Sequence, residues 1–255
     1  MRADLLLLEK GLAPSRSAAA RLIERGAVRW RHAQLPWQSP SKAGDDLPAA
    51  CELQITDDAE LRWASRAGLK LEGALRELGI SPSDMTVLDV GQSTGGFTDV
   101  LLAQGATRVV GVDVGHGQLL PRLRQDPRVA TYEGLNAREL KRAMLGPDCP
   151  VQGFDLIVGD LSFISQTLVW PALVPLLGAQ GHLLMLVKPP FELQPQHIGK
   201  GGLVKADAPV HEIEPRLRRM AHSLSLQVIA WLPSCITGGD GNTEAFILMR
   251  HARVS

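Results

Sequence analysis

The stretch TVLDVGQSTGGF, residues 86–97, decides the fold of this 255-residue chain. Its first five residues are mostly apolar or β-branched, which is typical of a buried strand, and a glycine-rich turn and a helical pattern follow. Gly91, Gly95 and Gly96 permit positive φ and let a ligand approach the backbone closely. Ligands of doubly wound α/β sheets bind at such strand ends, so this turn is predicted to be a ligand site; a tight strand–helix connection is the alternative.

Strand-like and helix-like segments alternate around this turn. Because strands separated by helices form parallel βαβ units, we predict a doubly wound α/β sheet. The last strand follows its predecessor without a helix and is expected to be antiparallel. Strands are predicted near 86–90, 108–114, 128–133, 154–160, 182–188, 226–232 and 244–250, and the main helices near 67–78, 97–104, 137–145, 166–177 and 208–224.

The beginning of the chain has a different pattern. Residues 3–10 and 16–25 are predicted to be helices; Ser15 caps the second and Gly26 ends it. Short strand-like runs follow near 27–30, 34–37 and 51–55.

This first part of the chain is also basic. Residues 1–42 contain eight lysines and arginines but only three acidic residues, whereas the whole chain has a net charge of zero. A basic segment on a neutral protein is expected for a polyanionic partner, and a solvated helix face is the alternative. The arginines expected to bind RNA are Arg2, Arg16, Arg21, Arg25 and Arg29.

Composition argues against several classes of protein. The three cysteines, Cys51, Cys149 and Cys235, are far apart and form no CxxC pair, so neither a disulfide framework nor a zinc site is predicted. No stretch reaches 18 uncharged apolar residues. We therefore expect a cytoplasmic protein that does not insert stably into membranes and needs no metal.

The residue types around the glycine-rich turn favour S-adenosylmethionine over a dinucleotide. Asp113 ends the next strand, where a carboxylate can accept hydrogen bonds from both hydroxyls of a ribose. The turn reads GQSTGG rather than GxGxxG. S-adenosylmethionine has no pyrophosphate and does not require that phosphate cradle.

Four charged residues are predicted to converge at this edge of the sheet, although each taken singly fits a surface charge. Lys70 precedes the first strand of the sheet, Asp160 and Lys188 end two later strands, and Glu244 begins the last one. A lysine at the end of an apolar strand is partly desolvated unless carboxylates lie close. Such a cluster suits methylation of a ribose hydroxyl, with Lys188 nearest the hydroxyl and the other three orienting it.

Base methylation is the alternative chemistry. Transfer to an amine favours an NPPY-like loop, and transfer to a ring carbon favours a cysteine nucleophile. The chain has KPPF at 188–191 and no cysteine there, so ribose methylation is preferred.

These motifs closely resemble the TlyA family, whose members are often named haemolysins and look like fusions of a ribosomal-protein-like RNA-binding domain with an FtsJ-type methyltransferase domain. The resemblance covers nearly the whole chain. It is carried by MRADLLLLEKGLAPSRSAAARLIERGAV at the front and later by SRAGLKLEGAL, LDVGQSTGGFTDVLL, GVDVGHGQL, DLSFIS, LVKPPFE, GKGGLV and ITGGDGNTEAF.

The resemblance implies a Rossmann-like class I methyltransferase sheet with an antiparallel last strand, preceded by a small α+β RNA-binding domain. It implies an RNA-binding domain at 1–60, a linker at 61–66 and a methyltransferase domain at 67–255. It also implies S-adenosylmethionine-dependent ribose 2′-O-methylation of cytidines in ribosomal RNA or ribosomal subunits, with Lys70, Asp160, Lys188 and Glu244 as the catalytic tetrad. The expected cofactor-binding residues are Asp89, Gly91, Ser93, Gly95, Gly96, Asp113 and Asn136, the last of which fits a helix cap equally well.

Some positions depart from the family pattern, and other functions stay open. The family usually has Gly where Ala67 stands, Ala where Gln92 stands and Gln where Pro190 stands. Residues 197–202 are predicted to be either a mobile lid or an ordered surface loop. The alternative functions are a non-catalytic RNA-binding or ribosome-assembly protein and a membrane-lytic haemolysin.

Overall fold

The computed structural model describes residues 1–58 and 61–252, which form two compact units, Met1–Arg66 and a larger unit that begins at Ala67. The predicted domain end at residue 60 and the last three residues of the predicted domain 67–255 lie outside the described residues. The exact limits 1–60, 61–66 and 67–255 therefore stay predictions.

The smaller unit packs two helices beside a two-stranded antiparallel sheet. Ser15 caps the second helix as predicted, because its side chain accepts a hydrogen bond from the amide of Ala18 at 3.2 Å. Gly26, with φ of 69°, follows the end of that helix. The elements are α1 (Ala3–Glu9), α2 (Arg16–Glu24), β1 (Val28–Arg31) and β2 (Glu52–Ile55).

The predicted strand at 34–37 is wrong. Only one residue pair links this region to β1, since Trp30 and Gln38 exchange two backbone hydrogen bonds of 2.8 Å. Pro36 has no amide N–H to donate, and Ala33 turns the chain with φ of 53°. These two residues prevent a longer ladder.

The larger unit is a seven-stranded sheet with helices on both faces. The strand order is β5-β4-β3-β6-β7-β9-β8, and β9 alone runs antiparallel to its neighbours, which confirms the predicted fold class. Its strands are β3 (Thr86–Val90), β4 (Arg108–Asp113), β5 (Val129–Glu133), β6 (Phe154–Gly159), β7 (Leu177–Val187), β8 (Leu226–Pro233) and β9 (Ala245–His251). Its helices are α3 (Ala67–Leu78), α4 (Gly96–Ala103), α5 (Pro121–Arg124), α6 (Arg142–Leu145), α7 (Trp170–Leu173), α8 (Pro189–Glu192) and α9 (Ile213–Ser223).

Three predicted helices are shorter than expected. The stretch 166–177 breaks into α7 and two 3₁₀ turns, because Pro171 and Pro175 each lack the N–H that a continuous helix needs. The stretch 137–145 is likewise a 3₁₀ turn followed by α6. The helix predicted at 208–224 begins only at Ile213.

The core lies on both faces of the sheet. On one face, Leu88 of β3 packs in a cluster with Trp170 of α7 and Leu217 of α9. On the other face, Phe97 of α4 stacks on Phe246 of β9, with ring centroids 6.2 Å apart. These packed helices hold the sheet in place from both sides.

The strand order places the site residues at one edge. Successive strands are added on one side of β3 as far as β5 and then on its other side from β6 onward, so the strand order reverses between the parallel neighbours β3 and β6. Val90 pairs with Gly159, and Gly159 pairs with Met185 of β7, so the carboxyl ends of these three strands lie side by side. Ligands of open α/β sheets bind at this switch point. No helix among residues 1–58 and 61–252 is long and apolar enough to span a bilayer.

Candidate active site

The glycine-rich turn packs tightly against the chain that follows β6. Gly91 has φ of 84°, and a Cβ atom on it would lie 2.7 Å from the backbone oxygen of Asp160. Gly95 has φ of 96° and precedes α4, and a Cβ atom there would lie 2.4 Å from Leu123. A side chain at either position would be strained and would clash. These glycines allow the close packing of the protein around the turn, and the ligand site that the sequence predicts here stays a prediction.

The carboxylate of Asp113 organises the same turn from the end of β4. One of its oxygens accepts a hydrogen bond from the amide of Ser93 at 2.8 Å, and the other accepts one from Gly115 at 2.7 Å. Ser93 has a positive φ of 48°, and its hydroxyl contacts Gln118 at 3.0 Å. Each carboxylate oxygen keeps a second lone pair for a ligand hydroxyl.

Asp89 is a fully buried carboxylate in β3. Thr98 donates a hydrogen bond to its Oδ2 atom at 2.7 Å, whereas its Oδ1 atom has no partner among the described residues. Burial, reinforced by the negative charges of Asp160 and Asp113, raises the pKa of Asp89 to about 7. A buried acceptor without a donor is unusual and marks a place for a ligand group that donates a hydrogen bond.

Gln92 fills the space beside this aspartate. Its amide donates to Thr98 at 3.0 Å, and it lies over Gly111 of β4, where a Cβ atom would be 1.9 Å from the Gln92 side chain. Thr98 and Gly111 were missed at the sequence level, since neither stands out by charge or by spacing.

The four predicted catalytic residues form two ion pairs. The Nζ atom of Lys70 lies 2.5 Å from Glu244, and both side chains are less than a tenth exposed. The Nζ atom of Lys188 lies 2.5 Å from Asp160, and these side chains are about 15% exposed. The first pair is buried and the second reaches the surface of the site.

The two pairs meet across neighbouring strands. Val187 of β7 pairs with Ala245 of β9, so Lys188 and Glu244 occupy the next positions along these antiparallel strands. Burial raises the pKa of Glu244 above its usual range, and the positive charges of Lys70 and Lys188 partly offset that effect. Lys188 and Asp160 lie close enough to Glu244 to affect its pKa. The four charged side chains therefore form one cluster.

Ser162 and Phe163, which follow Asp160, were also missed as site residues. The hydroxyl of Ser162 accepts a hydrogen bond from Lys188 at 3.0 Å. Phe163 is 90% exposed, has a positive φ of 64° and packs its ring against Phe191, with centroids 5.1 Å apart. A strained, exposed aromatic residue beside charged groups presents a flat apolar surface to a substrate. The place of Ser162 and Phe163 two and three residues after a predicted catalytic aspartate was the available signal.

Two other predicted cofactor residues lie on nearby elements. Gly96 is buried as the first residue of α4. Asn136 is exposed and caps a 3₁₀ turn, where its side chain accepts a hydrogen bond from the amide of Arg138 at 3.1 Å. The helix cap that the sequence allows as an alternative role for Asn136 is therefore present. It leaves the amide nitrogen of this side chain available to a ligand.

The predicted RNA-binding arginines all lie in the smaller unit. Arg2 and Arg16 both contact the carboxylate of Asp4, at 2.9 Å and 3.1 Å, and their side chains are about half exposed. Hydrogen bonds from these two arginines lower the pKa of Asp4 to about 2, although its burial acts in the opposite direction. Arg25 and Arg29 are exposed, and Arg21 is half-buried.

Residues 1–58 and 61–252 contain no group of three or more His, Cys, Asp or Glu side chains placed to hold a metal ion.

The fold and the site together define a class of protein. A seven-stranded sheet with one antiparallel strand, a glycine-rich turn after its first strand and a charged cluster at the same edge form a methyltransferase domain. Residues 63–251 match the FtsJ-like methyltransferases, and residues 1–29 match the S4 domain.

Full-length relatives give the family. The chain is 41% identical to the 16S/23S rRNA (cytidine-2′-O)-methyltransferase TlyA of Mycobacterium tuberculosis, over 98% of this chain and 89% of that protein. It is 37% identical to Hemolysin A of Brachyspira hyodysenteriae, over 96% and 97%. A solved structure of a candidate haemolysin from Streptococcus thermophilus is 35% identical with a TM-score of 0.74, over 99% and 88%. The chain belongs to the TlyA family of FtsJ-like methyltransferases.

The family implies S-adenosylmethionine as the methyl donor, and the residues present fit this group. The partnerless carboxylate oxygen of Asp89 suits a cationic ligand that donates hydrogen bonds. The carboxylate of Asp113 suits ribose hydroxyls, and Gly91, Gly95 and Gly96 add no side chains to the turn beside it. A non-catalytic RNA-binding scaffold is not favoured, because the chain matches an rRNA methyltransferase over 98% of its length and the FtsJ-like methyltransferases over residues 63–251.

Proposed function

We propose that this protein transfers the methyl group of S-adenosylmethionine to the ribose 2′-hydroxyl of cytidine in ribosomal RNA. The observation that carries the proposal is the meeting of two lysine–carboxylate pairs beside the glycine-rich turn. Two cations and two anions in one cluster suit the handling of a proton from a weakly acidic alcohol.

The cofactor is held by residues around the turn. When bound, S-adenosylmethionine supplies an electrophilic methyl group on a sulfonium centre. Asp113 binds its ribose hydroxyls, Asp89 binds its amino group, and Asn136 reads its adenine. The backbone of Gly91, Ser93, Gly95 and Gly96 lines the remaining contacts.

Lys188 handles the proton of the attacking hydroxyl. Its Nζ atom is fixed by Asp160 at 2.5 Å and by Ser162 at 3.0 Å, and it is the more exposed lysine of the tetrad. Lys188, as a neutral amine, would accept the proton of the 2′-hydroxyl. The methyl–sulfur bond of the donor would break as the methyl–oxygen bond forms, so that S-adenosylhomocysteine would be the leaving group. Asp160 and Ser162 orient the amine, which limits the motion needed during transfer.

Lys70 and Glu244 set the field around this amine. Glu244 lies across from Lys188, and Lys70 balances its charge from α3. Both side chains are buried beside Lys188, where fixed charges act more strongly than they do in water.

The RNA is bound on both units of the chain. Phe163 presents an exposed ring for stacking of the target base, since stacking on aromatic side chains is a common way to hold unpaired bases. Arg2, Arg16, Arg21, Arg25 and Arg29 contact the phosphate backbone, and the match of residues 1–29 to the S4 domain supports this role. Ribosomal RNA or a ribosomal subunit in the cytoplasm is the proposed substrate.

The test is a map of ribose methylation in ribosomal RNA. Mass spectrometry of RNA from cells with and without the protein is expected to show 2′-O-methylcytidine only when the protein is present. An unchanged methylation pattern, together with no binding of S-adenosylmethionine by calorimetry, would indicate a scaffold rather than an enzyme.

A single substitution then tests the assigned base. Lys188→Ala is expected to lower kcat by about 10²- to 10⁴-fold while the affinity for S-adenosylmethionine stays within about twofold. Lys141→Ala, at an exposed lysine on the N-terminal side of α6, is the matched control and should retain full activity. A loss below tenfold in a folded Lys188→Ala variant contradicts the role.

A further inference from the structure

Asn242 is a buried side chain that joins two separate loops of the larger unit. Its Oδ1 atom accepts a hydrogen bond from the amide of Val204 at 2.9 Å, and its Nδ2 atom donates to the backbone oxygen of Gly202 at 2.9 Å and to Asp240 at 2.7 Å. Asn242 is only 7% exposed. Three of the four hydrogen-bonding positions that its amide offers, both donors and one of the two acceptor lone pairs, are therefore used.

The first loop is the glycine segment, which we define as residues 199–204. It closes on itself through a hydrogen bond of 2.7 Å from the amide of Gly199 to the oxygen of Leu203. Gly201 and Gly202 both have positive φ, and Lys200 is exposed. Such a segment has little regular structure of its own to hold it, so the contacts of Asn242 are its anchor to the rest of the unit.

The second loop is the turn 238–242, which leads into Glu244. The amide of Gly238 donates to the backbone oxygen of Asn242 at 2.8 Å, and the amide of Asn242 donates to Asp240 at 3.1 Å. Gly238 lies directly against the catalytic carboxylate, because a Cβ atom on it would be 2.8 Å from the Oε1 atom of Glu244. Asn242 therefore links the glycine segment to the backbone on which Glu244 packs.

We propose that Asn242 is a positioning residue for RNA: it fastens the glycine segment beside the tetrad so that the segment forms one wall of the RNA site. This inference rests on the proposed function. The segment follows Lys188 along the chain, and Asn242, which holds it, stands two residues before Glu244. The segment is therefore attached next to the tetrad. The exposed ammonium of Lys200 gives this wall a cation for a backbone phosphate.

The experiment compares three variants of the full-length chain. Asn242→Ala removes all side-chain bonds. Asn242→Asp keeps an acceptor for Val204 but loses both donors and places a second carboxylate beside Asp240. Asn242→Asp combined with Asp240→Asn relieves that repulsion, because the new amide can donate to the new carboxylate.

Three measurements separate positioning from simple structural support. For Asn242→Ala we expect hydrogen exchange in the glycine segment to become roughly tenfold faster and KM for ribosomal RNA to rise roughly tenfold. The affinity for S-adenosylmethionine should change less than twofold, and kcat should fall less than KM rises. Asn242→Asp should show the same changes, and the double variant should recover part of the loss.

A control and two contrary results make the test decisive. Gln196→Ala, an exposed position three residues before the glycine segment, should leave exchange and KM unchanged. Faster exchange with an unchanged KM would overturn the proposed wall, and unchanged exchange would overturn the anchor. If Asn242→Ala fails to fold, the two aspartate variants carry the same comparison.

The same design distinguishes this inference from the proposed function. A wild-type chain that methylates no ribosomal RNA would remove the proposed function. In that case, hydrogen exchange still decides whether Asn242 anchors the glycine segment, and binding of ribosomal RNA to the wild-type and Asn242→Ala chains decides whether the segment serves RNA. Equal RNA affinity of the two chains would reject the inference on its own.

Discussion

The Nζ atom of Lys70 and the Oε2 atom of Glu244 lie 2.5 Å apart, with both side chains less than a tenth exposed. Taking two charges out of water is costly, and the attraction between them offsets that cost only while both are present. The sequence separates these residues by more than 170 positions, so the pair exists only because the fold brings Lys70 of α3 to the residue that precedes β9. Its place beside Lys188 makes it part of the site rather than a surface contact.

Removal of one member of this pair should therefore destabilise the larger unit. Lys70→Met leaves the Glu244 carboxylate buried without its partner, and we expect a loss of about 3–5 kcal/mol in unfolding free energy. Lys70→Met/Glu244→Met should recover most of that stability and remain inactive. Denaturant unfolding and a methylation assay measure the two effects. A double variant as unstable as the single one would show that charge burial is not the cause.

Phe163 offers a second prediction, on substrate affinity. The residue is 90% exposed and directly follows Ser162, whose hydroxyl contacts Lys188, so its contribution to the packing of the core is small. Phe163→Ala should raise KM for RNA by about 5- to 150-fold, the range for the loss of one stacked base.

The control for this prediction keeps an aromatic surface. Phe163→Trp should retain most of the RNA affinity, and neither variant should alter the affinity for S-adenosylmethionine by more than about twofold. Equal loss in both variants would point to the backbone at this positive φ rather than to stacking.

The sequence predicted the parts of the site that depend on strand ends and failed where contacts are made between loops. Lys188 and Asp160 were predictable, because parallel strands bring their carboxyl ends to one edge. Asn242 was not, since its partners Gly202 and Val204 lie 40 and 38 residues away and carry only backbone groups. The failed strand at 34–37 has a local cause: Pro36 removes a ladder donor that alternation of apolar residues does not reveal.

The pKa of Asp89 leads to a prediction about pH. Burial raises the pKa of this carboxyl to about 7, so near pH 6 the ligand-free protein holds it mostly protonated. A cationic ligand beside Asp89 favours the ionised form and lowers this pKa, so the free protein binds more protons than the complex does. The affinity for S-adenosylmethionine should therefore rise as pH increases from 5.5 to 7, by up to about tenfold per unit, and level off above pH 7.

Calorimetry checks this linkage directly. At pH 6 in two buffers of different ionisation enthalpy, wild-type protein should release up to one proton as S-adenosylmethionine binds. Asp89→Asn has no carboxyl to titrate and should show no such release and a flat pH profile. A wild-type affinity that is constant between pH 5.5 and 7 would place the cationic part of the ligand away from Asp89.

The arginines of the smaller unit lead to a prediction of how RNA affinity depends on salt. Arg21 and Arg25 are four positions apart at the end of α2, so they lie on the same side of the helix. Each phosphate contact releases counterions, and affinity for single-stranded RNA falls with salt by a slope of about 0.7 per contact in a log–log plot. Arg21→Ala/Arg25→Ala should therefore bind RNA more weakly and show a slope that is shallower by up to about 1.4.

Arg218→Ala, which removes an exposed arginine paired with Glu214 on α9, is the matched control and should keep the wild-type slope. Filter binding between about 50 and 300 mM salt, roughly a sixfold range of ionic strength, measures both. An unchanged slope in the double variant would move the phosphate contacts to other arginines, first to Arg2 and Arg16, whose guanidinium groups Asp4 holds half exposed.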